Sequence, residues 1–239
     1  MAVLELTGVS RIFKNGRGLK NTTIIVNEGE IIGLLGANGS GKSTLMKIAC
    51  GLTRPDMGEV RVMGESMKDA PDKALMYVGA LIETPALYPF MTGRENLMFA
   101  LDTLGIKDKT AAKDALKKVE LSDFAKEKVK NYSLGMKQRL GLAMALVGKK
   151  KLLLLDEPTN GLDIESAAKV KDAIRNLCLE TGAAAIMSSH LASEIERLAA
   201  RVIILDEGEV LKDVPMTEAV RDGRTLEDYY LAVRRGEEV

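Results

Sequence analysis

Ile31-Ile32-Gly33-Leu34-Leu35-Gly36-Ala37-Asn38-Gly39-Ser40-Gly41-Lys42-Ser43-Thr44 is the stretch whose reading decides the fold. Ile31 to Leu35 carry no charge and almost no polarity, which predicts a buried strand. Gly36 to Ser43 fit G-x-x-x-x-G-K-S/T, the pattern of a phosphate-binding loop. Gly36, Gly39 and Gly41 let the backbone turn tightly and bring its N–H groups to phosphate oxygens. Lys42 supplies a cation to the outer phosphates, and Ser43 a hydroxyl for Mg²⁺. Thr44 to Cys50 reads as a helix whose positive N-terminal end faces the same anion. Alone, this loop specifies a nucleoside triphosphate and nothing finer.

Outward from it, the chain alternates strand and helix. Residues 2–6 and 22–26 read as strands, and Phe13 between them, although an aromatic there can stack on a base, reads by itself as packing in the sheet. A short strand is expected over 59–63 and a buried one over 75–81, the latter running into Glu83 and the prolines Pro85 and Pro89. There the periodicity changes. Thr92 and Glu95 form a capping box, Leu97, Met98, Leu101 and Leu104 recur at helical spacing, and a second helix is expected over 110–120. Lys126, Lys128 and Lys130 read as a solvated face. Ser133 and Gly135 open an apolar helix, as an ordinary serine cap or as a second anion site. The segment 84–150 therefore reads as a helical insertion.

Leu152 to Leu155 form an apolar strand of the kind buried on both faces in parallel sheets, and it ends in Asp156 and Glu157. Carboxylates at that edge suit a metal ligand (Asp156) and a proton acceptor for water (Glu157). A loop to Asp163, a helix over 164–180 and a strand over 183–187 lead to His190, the only histidine. Its position after a core strand on the phosphate-loop side favours a functional role over a structural one. A hairpin over 201–214 and a helical tail follow.

Composition narrows the partners. The 239 residues carry 34 basic and 34 acidic side chains, so bulk electrostatics give no reason to expect a nucleic acid. No apolar run approaches the roughly 20 residues of a membrane span. The N-terminal residues lack the pattern of a signal peptide, and Cys50 and Cys178 read as buried thiols, so a cytoplasmic chain is expected.

In order, these motifs resemble the ATP-binding subunit of an ABC transporter, over nearly the whole chain. Gly36–Ser43 is similar to Walker A, and Leu152–Glu157 to Walker B with the catalytic glutamate. Ser133-Leu134-Gly135-Met136-Lys137-Gln138 is similar to the signature, Gly161-Leu162-Asp163 to the D-loop, and His190 to the switch histidine. Two departures, Glu83 for the Q-loop glutamine and Leu134 for the first signature glycine, resemble the bacitracin- and lantibiotic-resistance branch.

The resemblance implies an α/β P-loop NTPase (RecA-like) core with a mixed sheet, an N-terminal antiparallel β subdomain and an inserted helical subdomain. Residues 1–83 and 151–239 would form the core and 84–150 the insertion. It implies ATP held by Phe13, Gly36, Ala37, Asn38, Gly39, Ser40, Gly41, Lys42, Ser43 and Thr44, with Phe13 stacking on adenine. Lys42, Glu157 and His190 would be catalytic, Mg²⁺ would be held by Ser43, Asp156 and Glu83, and Asp163 would act in the D-loop. Ser133, Leu134, Gly135 and Met136 would complete the site of a second subunit in a head-to-tail dimer. A separate membrane permease would dock on the helical subdomain at the inner face of the cell membrane, for export of an antimicrobial peptide, antibiotic or similar compound. The alternatives are a soluble ABC ATPase of translation or DNA maintenance and a P-loop kinase or GTPase. The first usually carries two cassettes or a long coiled coil, and the second has no use for an anion site at Ser133.

Overall fold

The computed structural model describes residues 1–108, 110–148 and 150–237. Two sheets form its frame. The first is antiparallel, in the order β2-β1-β4-β5, from β1 (Ala2–Ile12), β2 (Gly18–Asn27), β4 (Met57–Val62) and β5 (Glu65–Ser66). The second runs β10-β9-β3-β8-β7-β6, from β3 (Ile31–Leu35), β6 (Val78–Leu81), β7 (Leu152–Leu155), β8 (Ala184–Ser188), β9 (Arg201–Asp206) and β10 (Glu209–Pro215). Its neighbours pair in parallel except β9 with β10, so the sheet is mixed.

Side chains alternate across this second sheet, as strand geometry requires. Leu152 and Leu154 of β7, with Ile32 and Leu34 of β3 and Ile186 of β8, face the antiparallel sheet. Helices α1 (Lys42–Ala49) and α2 (Pro71–Met76) contribute to that same core. Leu153 and Leu155, with Leu35 and Met187, face the other way. They pack against α3 (Gly93–Thr103), α4 (Thr110–Lys118), α5 (Leu134–Ala145), α6 (Ile164–Thr181), α7 (Ala192–Leu198) and α9 (Leu226–Arg234). The short α8 (Met216–Ala219) follows β10.

Local chemistry accounts for the helix starts. The Thr92 side chain accepts from Glu95 N while Glu95 accepts from Thr92 N, so both halves of the capping box are made. Ser133 Oγ accepts from Met136 N at the start of α5, and α6 ends at Gly182 in the left-handed region. The expected strand over 75–81 is corrected: Leu75 and Met76 end α2, and only Val78–Leu81 is strand. Pro71 at the first turn of α2 is the helix signal. The first two strands run well beyond 2–6 and 22–26, because their polar outer halves pair with each other and continue the ladder.

Leu154 is completely buried in the core that welds the two sheets. Leu154→Ala is expected to cost about 2–5 kcal/mol of stability. Denaturant unfolding checks this, and a loss below about 1 kcal/mol would mean that the two sheets are not held through this core.

Candidate functional site

Parallel pairing places the C-terminal ends of β3, β6, β7 and β8 along one sheet edge: Leu81 pairs with Leu155, Leu155 with Met187, and Ser188 with Leu34. The residues that follow these ends are Gly36, Glu83, Asp156 and Ser189. Ligands of such sheets bind at this edge.

The phosphate loop joins β3 to α1. Its closeness to the sheet demands glycine: a Cβ on Gly36 would fall 2.3 Å from the Leu205 carbonyl oxygen. Gly41 caps α1 at φ 109, and a Cβ there would fall 2.8 Å from the Gly18 carbonyl oxygen. Lys42 Nζ donates to the carbonyl oxygens of Gly36 and Ala37 at 2.7 and 3.1 Å, curling the loop round its own ammonium. Burial pushes the Lys42 ammonium below the usual lysine range, although the Glu157 and Asp156 carboxylates pull it back up. Ser40 Oγ is buried in the loop with no hydrogen-bond partner among the described residues. The first turn of α1 holds no acidic residue to oppose an anion.

Phe13 is not packed in the sheet. It is 39% exposed and lines a cleft of ≈ 230 Å³ with Asn38, Lys42, Ser43 and Glu157. Arg17 and Gly18 line it too. Arg17 lay outside the residues expected from sequence; its signal is a cation directly after the Asn15-Gly16 turn. The Arg11 guanidinium sits 5.2 Å from the Phe13 ring centroid, so one face of the ring already has a partner.

Beyond β7, Ser188 organises the carboxylates. Its completely buried hydroxyl donates to Asp156 Oδ1 at 2.6 Å and accepts from Glu157 N at 2.9 Å. Glu157 is held at φ 50, a conformation that side chains other than glycine rarely take. Its Oε2 accepts from Asn160 Nδ2 at 3.1 Å, and His190 Nε2 lies 2.6 Å from its Oε1. Glu157 lines the cleft of Lys42 and also the neighbouring cleft that holds His190, so the carboxylate touched by the imidazole reaches the phosphate side, an arrangement able to orient a water and take its proton. Ser188 carried no sequence signal beyond its place before His190.

Glu83 also has a positive φ, 64. It accepts from Lys47 Nζ of α1 at 2.7 Å, and that bond holds its carboxyl below the usual range. As donors for a divalent cation, Ser43 offers a hard oxygen in the cleft and Asp156, buried beside Ser188 at the same sheet edge, a second. No cluster of three or more His, Cys, Asp or Glu able to hold a metal occurs among the described residues. This set fits Mg²⁺, which keeps its waters and shares phosphate oxygens instead of entering a protein-only cage.

The start of α5 lies apart. None of Ser133 to Met136 lines the cleft at the phosphate loop. Ser133 and Leu134 are exposed, and a Cβ on Gly135 would fall 2.7 Å from Ser166 Oγ, so α5 abuts the start of α6. Leu134 sits against Gly161, whose Cβ would fall 3.2 Å from Leu134 Cδ2. Asp163 caps α6, accepting from Ser166 N and Ser166 Oγ at 2.9 and 2.7 Å; these bonds hold its carboxyl below the usual range.

Comparison with known proteins adds independent weight. Residues 19–160 match the family model described as ABC transporter. An uncharacterized ABC transporter ATP-binding protein, YdbJ of Bacillus subtilis (strain 168), is 42% identical over 90% of this chain and 70% of its own. The bacitracin transport ATP-binding protein BcrA of Bacillus licheniformis is 35% identical over 96% of this chain and 75% of its own. A solved dimeric structure of a post-hydrolysis state of the ATP-binding cassette MJ0796, bound to ADP and Pi, superposes with a TM-score of 0.78. It is 28% identical, covering 89% of this chain and 98% of that one. With an ordered phosphate loop, paired carboxylates and a histidine at one sheet edge, the chain belongs to the ABC transporter family, as one of its ATP-binding subunits.

Proposed function

We propose that this chain hydrolyses ATP at the edge built by β3, β7 and β8 and uses the energy to drive a separate membrane permease. The observation that carries the proposal is the contact of Glu157 with His190 beside the cleft of Lys42 and Phe13. Phe13 stacks on the base, and residues 36–44 hold the phosphates. Lys42 exchanges its two carbonyl bonds for β- and γ-phosphate oxygens. Ser43, Asp156 and Glu83 would hold Mg²⁺, whose charge would offset that of the phosphates. Glu157 takes a proton from the attacking water as the water's oxygen bonds to the γ-phosphorus and ADP leaves. His190 fixes the orientation of Glu157 and of the γ-phosphate.

The exposed serine at the start of α5, remote from its own phosphate loop, supports a head-to-tail dimer in which Ser133 and Gly135 close the neighbour's site. Leu134 and Met136 flank them, and Asp163 faces the same partner. The dimeric state of the MJ0796 structure supports this reading. Segment 84–150 is a helical subdomain inserted into the core. The exposure of Tyr88, Phe90, Phe99 and Leu104 supports reading it as the docking face for the permease. No helix among the described residues is long and apolar enough to cross a membrane, consistent with attachment at the inner face through that permease. The bacitracin transport relative supports export of an antimicrobial peptide, antibiotic or similar compound.

Two substitutions test this reading. Glu157→Gln is expected to bind ATP, to hydrolyse it about 10²–10⁴ times more slowly, and to accumulate as a closed dimer with ATP and Mg²⁺ in gel filtration. An unslowed rate would remove Glu157 from the chemistry. At Glu83, glutamine keeps one carbonyl oxygen, whereas alanine removes both the ligand and the link to Lys47. Glu83→Gln is expected to keep a substantial part of the ATPase activity, and Glu83→Ala to bind nucleotide but lose most permease-stimulated turnover. ATPase rates with and without the membrane partner, across Mg²⁺ concentration, check this. An alanine variant equal to wild type throughout would leave Glu83 without either role.

A further inference from the structure

Glu194, in α7, has a side chain only 13% exposed. Its Oε2 accepts two hydroxyls at once, Thr159 Oγ1 at 2.7 Å and Ser189 Oγ at 2.9 Å. Its Oε1 faces Lys171 Nζ of α6 at 3.2 Å. Burial pushes its carboxyl up, but the two hydroxyls and the Lys171 ammonium outweigh burial and hold it below the usual range. Thr159 belongs to the loop between Glu157 and Asp163. Ser189 precedes His190, and its Oγ also accepts from Leu191 N at 3.1 Å, so that hydroxyl brackets the histidine. A cleft of ≈ 330 Å³ is lined by Glu157, Thr159, His190 and Glu194 together. One carboxylate oxygen thus joins the loop that follows Glu157 to the turn that carries His190.

We propose that Glu194 is a positioning residue that couples the loop 159–163 to His190, so that a second subunit pressing on that loop sets the histidine against Glu157. The inference rests on the head-to-tail reading above. A carboxylate suits the task because it only accepts, and a single oxygen can take both O–H donors. Glutamine retains one such oxygen for the two hydroxyls and can keep the joint, losing only the Lys171 contact, because its amide nitrogen cannot accept from that ammonium. Alanine removes it.

The test is steady-state ATP hydrolysis by the full chain with its membrane partner, for wild type, Glu194→Gln and Glu194→Ala. ATP-binding stoichiometry and thermal unfolding are measured on the same samples. Glu194→Ala is expected to keep KM for ATP within about twofold while kcat per bound nucleotide falls about tenfold or more and the Hill coefficient drops towards one. Glu194→Gln should restore most of both. If the alanine variant instead keeps wild-type kcat per bound nucleotide and cooperativity, the proposal is overturned, even where its melting temperature falls, because Glu194 then only holds α7 in place. Wild-type turnover in the same assay reports separately on the ATPase reading.

Discussion

Everything in this site depends on the parallel pairing of β3, β8, β7 and β6. Parallel strands end on the same side, so four chain segments far apart in sequence deliver Gly36, Ser189, Asp156 and Glu83 to one edge. The apolar runs that make the strands, Ile31–Leu35 and Leu152–Leu155, are buried on both faces and leave no freedom in register. A slip of one residue in β7 would turn Leu153 and Leu155 to the wrong core and carry Asp156 away from Ser188.

At that edge, burial is exchanged for strain and charge. Glu157 and Glu83 both sit at positive φ, which for Glu157 costs about 1–3 kcal/mol. The cost is offset locally. Ser188 binds the Glu157 amide, Asn160 and His190 take the Glu157 carboxylate, and Lys47 takes Glu83. Lys42 is a buried cation facing two carboxylates, held meanwhile by backbone carbonyls. The carbonyl oxygens on Lys42 are placeholders of the same polarity as the phosphate oxygens proposed to replace them. A site with its charges already paired need not reorganise far when substrate arrives.

Much of this was legible in the chain. The glycine pattern from Gly36 to Ser43, the capping box at Thr92 and the leucine run before Asp156 are local signals, and the structure uses them locally. What escaped depends on tertiary neighbours. Leu75-Met76-Tyr77-Val78 is one apolar run, and such a run does not tell a buried helix end from a strand. Ser188 and Glu194 are ordinary polar residues until the sheet sets them beside Asp156 and Thr159. Phe13 by itself read as a sheet residue. Only the resemblance pointed it at a base, and its exposure beside Lys42 fits that second reading.

The central claim is that the start of α5 serves a site other than its own. The most direct measurement pairs one Ser133→Arg subunit with one Lys42→Ala subunit in an engineered dimer and follows ATP hydrolysis. If Ser133 acts across the dimer, both defects can fall on one composite site and leave the other whole. Activity should then exceed that of either homodimeric variant. A mixed dimer no more active than the two parents would contradict the account.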